Sequence, residues 1–121
     1  MDYTLKDIFT KETCADWTTF WYHLSNFLDD FKRNPSPSIL QEYPENIDNK
    51  IDVFIAATAE QLAINYGLEI PKWVYNKRYF LKEPFFPSGL NGDYRFFALI
   101  ESPLAFSARQ IFVTKNVLDR A

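Results

Sequence analysis

The chain has 121 residues and a net charge of −3, with 12 Phe, 7 Tyr and 3 Trp against 3 Gly. At 47% hydrophobic it can bury enough apolar surface to offset chain entropy, which excludes disordered, collagen-like and low-complexity character. Its single cysteine (Cys14) excludes an internal disulfide and its single histidine (His23) excludes a His-rich metal site, so neither metal nor cofactor is expected.

In chain order, Thr4 followed three residues later by Asp7 reads as a capped helix start leading into Leu5, Ile8 and Phe9. The next segment carries Trp17, Phe20, Trp21, Leu24, Phe27, Leu28 and Phe31, an apolar stripe at helical spacing that Thr13 or Asp16 can cap and that ends near Arg33. Asn34-Pro35-Ser36-Pro37-Ser38 breaks that helix and marks a possible hinge near residues 34–38, with a short turn expected over Ile39–Tyr43. A second long helix is predicted from about Asp48 to Tyr66, on Ile51, Phe54, Ile55, Ala59, Leu62, Ala63 and Tyr66. Gly67 then occupies the left-handed position after it.

The remainder is shorter-jointed. Pro71 is placed to open a brief helix through Tyr75, and Lys82–Gly89 reads as an apolar loop. Asp93 caps a helix through Ile100, Ser102-Pro103 starts another from Leu104 to about Gln110, and Thr114 caps a last turn. Ile111-Phe112-Val113 fits either a strand or a buried connector. No alternating pattern is long enough to anchor a sheet. The expected fold is therefore all-α: a compact single-domain helical bundle over residues 1–121, with two long amphipathic helices and several short C-terminal ones.

The N-terminus shows neither a basic leader nor an apolar core, and the longest apolar run, Val53–Ala57, is far short of the ~20 residues of a membrane helix; a cytoplasmic protein without a membrane partner is the expectation. Charge is uneven. Residues 1–60 hold 11 acidic and 5 basic side chains, residues 61–121 hold 5 acidic and 8 basic. Such asymmetry arises more often from chance partitioning of surface charge than from a positive face meeting an acidic partner.

Catalytic signals are weak. Asp29 and Asp30 diverge by ~100° on a helix and cannot share a proton. Asp48 and Asp52, with Glu45 nearby, share a helix face but are too few for a cation site, and suit a helix start better. His23 lies beside the apolar stripe without an orienting acid or nucleophile. Cys14 sits near a helix start, where a thiol pKa can fall, but no local Cys–His signature accompanies it. Gly89-Leu90-Asn91-Gly92 matches a bare GxxG without the strand context that would make it a nucleic-acid clamp.

Two features point to binding. Thr58–Leu68 resembles the first helix and turn of a helix-turn-helix, which would place a recognition helix from Pro71 with Lys72, Asn76, Lys77 and Arg78 available for DNA; this is the alternative reading, over residues 58–79. The stretch Trp73–Phe97 interleaves aromatic residues with Lys77, Arg78, Lys82 and Arg95, a composition that usually means core rings with cations on their rim and is also found at stacking surfaces and interface hot spots. Phe85-Phe86 between Pro84 and Pro87 cannot form regular structure, so their rings are covered by tertiary contact or by a partner. Arg109, eight residues after Glu101, is expected to pair with it or to contact a partner. The candidate partner-binding set is Trp73, Lys77, Arg78, Phe85, Phe86, Arg95 and Arg109.

The segments Gly67–Val74, Tyr79–Phe86 and Glu101–Val113 resemble a module of short uncharacterised bacterial proteins associated loosely with toxin–antitoxin-like loci. The resemblance covers about half the chain and brings no catalytic residues. It implies a bacterial, cytoplasmic, non-enzymatic partner-binding protein. The expected role is antitoxin-like or regulatory, with another protein or a second copy (a homo-oligomer) as partner and nucleic acid as the lesser possibility.

Overall fold

The structure is a computed structural model that describes residues 4–44, 46–87, 98–114 and 117–118. Helix α1 (Leu5–Ile8) starts where the Thr4 backbone N–H donates to the Asp7 carboxylate at 3.1 Å. Helix α2 (Trp17–Arg33) is capped by Asp16, whose carboxylate accepts from the Thr19 N–H at 2.8 Å; of the two caps the sequence offers, this one is used. Thr13 instead donates its hydroxyl to the Ile8 carbonyl at 2.7 Å, closing the loop between the two helices.

After the proline break, α3 (Pro37–Leu40) starts two residues earlier than the turn predicted there, with Pro37 in the first turn where its missing N–H costs nothing. The break does not detach α3 from the rest of the molecule. Leu40 is buried in the core, and its carbonyl accepts from the Trp73 indole N–H at 2.9 Å.

Helix α4 (Asn49–Tyr66) is the centre of the fold. Asp48 caps it, accepting from the Lys50 and Ile51 N–H groups, and Gly67 closes it at φ +65° with the Leu68 N–H returning to the Ala63 carbonyl at 2.8 Å. Its burial is wider than the predicted stripe. From Ile51 to Ala63 every residue is buried except Asp52 and Glu60, because small residues such as Ala56, Ala57 and Ala59 let neighbours close on more than one side. Phe54 is the hub, with Trp17, Phe20, Trp21 and Phe106 rings all within 5.0–6.0 Å of it.

Beyond Gly67 the chain makes two 3₁₀ turns, Lys72–Tyr75 and Lys77–Tyr79, rather than an α-helix. Asn76 lies between them in extended conformation, and its side chain accepts from the Arg78 N–H at 3.1 Å, a local bond that replaces a helical one. The recognition helix that the helix-turn-helix reading needs is therefore not formed. Residues 98–101 are helical, while the expected start at Asp93 lies outside the described residues. Helix α5 (Leu104–Ser107) ends three residues short of Gln110, which stands at φ +66°. The segment 111–113 is a connector with Ile111 and Val113 buried: Phe85 donates to the Gln110 carbonyl and accepts from the Phe112 N–H in an isolated parallel bridge, and the Val113 N–H and C=O both bond the Ser102 hydroxyl at 2.9 Å. Among the described residues there is no strand, and the all-α fold with two long helices stands. One core cluster runs from Leu5 through α2 and α4 to Val113.

Candidate docking groove

The aromatic and basic second half folds back across the start of α4. Asn49 and Lys50, in the first turn of α4, form one side of a groove of about 490 Å³; Lys77, Arg78, Phe80, Leu81, Lys82, Glu83, Pro84 and Phe85 form the rest. The wall is built from the second 3₁₀ turn and the extended run after it. Phe85 is fixed from two sides: its backbone bridges Gln110 and Phe112, and its ring lies 5.6 Å from Trp17 with the Lys50 ammonium 4.7 Å above it. Four cations thus line the groove, Lys50 on one side and Lys77, Arg78 and Lys82 on the other, with a single carboxylate, Glu83, among them. None of Lys50, Lys77, Arg78 and Lys82 forms an ion pair with a described residue.

At one end the groove adjoins a shallow recess lined by Asn46, Ile47, Asp48, Asn49, Asp52 and Arg78, so Asn49 and Arg78 belong to both. Burial pushes the Asp52 carboxyl above its ordinary pKa, against hydrogen bonds from the Ile47 and Asp48 backbone and the charge of Arg78. Asp48 and Asp52 share a face as their spacing predicts, but each has a separate structural task, one capping α4 and the other holding the Ile47 N–H. No group of three His, Cys, Asp or Glu that could hold a metal occurs among the described residues.

The structure brings Lys77, Arg78 and Phe85 together and sends the other candidates elsewhere. Trp73 packs between Tyr43 and Tyr79 and spends its N–H on Leu40, acting as an internal strut. Phe86 stacks on Phe112 at 5.6 Å. Arg95 lies outside the described residues, as does the Gly89–Gly92 motif.

Arg109 is a correction. It is 0% exposed and pairs with Glu60, not with Glu101. Its guanidinium also donates to the carbonyls of Ala105 at 2.9 Å and Val74 at 2.8 Å, and lies 4.5 Å from the Phe80 ring centre. It therefore holds the groove wall from inside. Cys14 is corrected as well: it is buried, and burial raises its thiol pKa instead of lowering it. His23 is half-buried, edge-on to Tyr22 at 5.2 Å.

Comparison of the chain with protein-family models, curated proteins and solved structures gives no match. The resemblance of 67–74, 79–86 and 101–113 to the bacterial module thus rests on those residues alone. What sequence reading missed was the other side of the groove. Asn49 and Lys50 belong to the acidic half, and nothing local distinguishes Lys50 from any lysine at a helix start. No helix among the described residues is long and apolar enough to cross a membrane.

Proposed function

We propose that this chain is a protein-binding module that docks its partner in the groove between the start of α4 and residues 77–85. The observation that carries this reading is the set of four cations lining one groove without an ion-pair partner among the described residues, in a protein whose net charge is negative. Like charges gathered along one groove raise the local positive potential, which attracts an anionic surface. Such complementarity steers encounter and fixes register. Phe80 and Phe85 line the same groove, held in place by Arg109 and by Trp17 respectively. This accommodates the regulatory, antitoxin-like role that the resemblance implies, in which the chain acts by occupying another protein.

The test compares capture from the native cell by the wild type and by Lys77→Glu/Arg78→Glu. A protein retained by the wild type and lost by the charge-reversed variant, with both chains equally stable to denaturant, supports the reading. Retention of the same proteins by both chains, or of none by the wild type, overturns it.

A further inference from the structure

The groove's chemistry narrows the occupant. We infer that it takes a short acidic peptide segment of the partner, its carboxylates meeting Lys50, Lys77, Arg78 and Lys82; this rests on the protein-binding reading above.

Two observations separate such a segment from a nucleic-acid strand, the other polyanion that four cations attract. Strand-binding grooves hold bases on open aromatic faces. Here Phe80 already carries the Arg109 guanidinium 4.5 Å from its centre, and Phe85 carries Lys50 at 4.7 Å and packs against Trp17 at 5.6 Å. The rings are committed to the fold and to its cations. The second observation is the end of the groove. Arg78 lines both the cationic groove and the recess that holds Asp48 and Asp52. A phosphate backbone continuing past Arg78 meets two carboxylates, whereas a peptide concentrates its charge over a few residues and ends it there. Affinity for duplex or strand grows with the number of phosphates neutralised, and this surface neutralises few. Glu83 within the wall further limits how much negative charge the groove accommodates.

The experiment measures fluorescence anisotropy of the full chain with two labelled probes of equal charge, a Glu/Asp-rich decapeptide and a single-stranded DNA oligonucleotide, at low and high salt. The peptide is expected to bind at least about tenfold tighter than the oligonucleotide, and Lys77→Glu/Arg78→Glu to weaken it about tenfold or more. Lys72→Glu, an exposed charge outside the groove, should change binding less than about twofold. Equal or tighter binding of the oligonucleotide overturns the inference, and so does peptide binding indifferent to the double reversal. A cellular partner lost on charge reversal together with no peptide binding overturns the acidic-segment inference while leaving the protein-binding reading standing. Absence of both overturns the two together.

Discussion

Arg109 and Glu60, 49 residues apart, form the buried ion pair that ties the C-terminal turn to the central helix. The arginine side chain is 1% exposed and the glutamate side chain 13%. The second Glu60 oxygen accepts from the Tyr75 hydroxyl at 2.9 Å, so one carboxylate joins α4, the first 3₁₀ turn and the segment after α5. Removing one member of such a pair leaves the other charge buried without compensation. Arg109→Met is expected to cost about 3–5 kcal/mol in urea unfolding, and Glu60→Gln a loss of the same order. Arg109→Met/Glu60→Leu should recover part of it, because no charge is then stranded. A loss under about 1 kcal/mol for Arg109→Met would contradict this account of the pair.

Phe54 is fully buried and touches four aromatic rings from α2 and α5. Truncation removes both the transfer free energy and the contacts lining the vacated space. Phe54→Ala is expected to lose about 3–5 kcal/mol, and Phe54→Leu clearly less. Because the ring lies 6.0 Å from Trp17 and 5.2 Å from Trp21, native tryptophan emission should shift in Phe54→Ala even where the chain stays folded. Unchanged emission together with near-wild-type stability would show that the core refills the space.

Asp52 gives a pH dependence of definite sign. Burial raises its pKa in the folded state, so the folded chain holds this proton more tightly than the unfolded chain does. The resulting stability is fully present below the ordinary carboxylate value near pH 4 and is lost as pH rises through the folded pKa. Asp52→Asn removes that titration and leaves a carbonyl oxygen able to accept from the Ile47 N–H. Across the range just above pH 4, wild-type stability should therefore fall relative to the variant as pH increases. Denaturant midpoints of both chains at several pH values check this, and parallel profiles would contradict it.

The long helices were legible because their signals are local: the seven apolar positions from Trp17 to Phe31, Asp16 as a candidate cap, the acidic start near Asp48, and Gly67 as the stop. The site was half legible. Lys77, Arg78 and Phe85 stand close together in sequence, within one aromatic and basic stretch. Lys50 and the Glu60–Arg109 pair were not legible, because which acid meets which base across 49 residues is decided by helix packing rather than spacing. The 3₁₀ turns over 72–79 escaped for another reason. Helical spacing in so short a segment does not show that the Asn76 side chain takes the Arg78 N–H, which starts a second turn there instead of continuing one helix.

Gly67 offers the narrowest test of that local grammar. Its φ of +65° is strained for any residue with a Cβ, and a Cβ built there meets nothing within 4 Å. Any cost of Gly67→Ala is therefore conformational and not steric crowding by neighbours. The expected loss is about 1–2 kcal/mol, with Gly67→Asn losing less because asparagine tolerates the left-handed region better. The loss should be concentrated at the end of α4. The Leu68 N–H, bonded to the Ala63 carbonyl at 2.8 Å, should exchange faster with solvent in Gly67→Ala while amides near Phe54 slow or speed only with global stability. An alanine variant as stable as the wild type would mean that the turn reaches another conformation at no cost, and that Gly67 does not set where α4 ends.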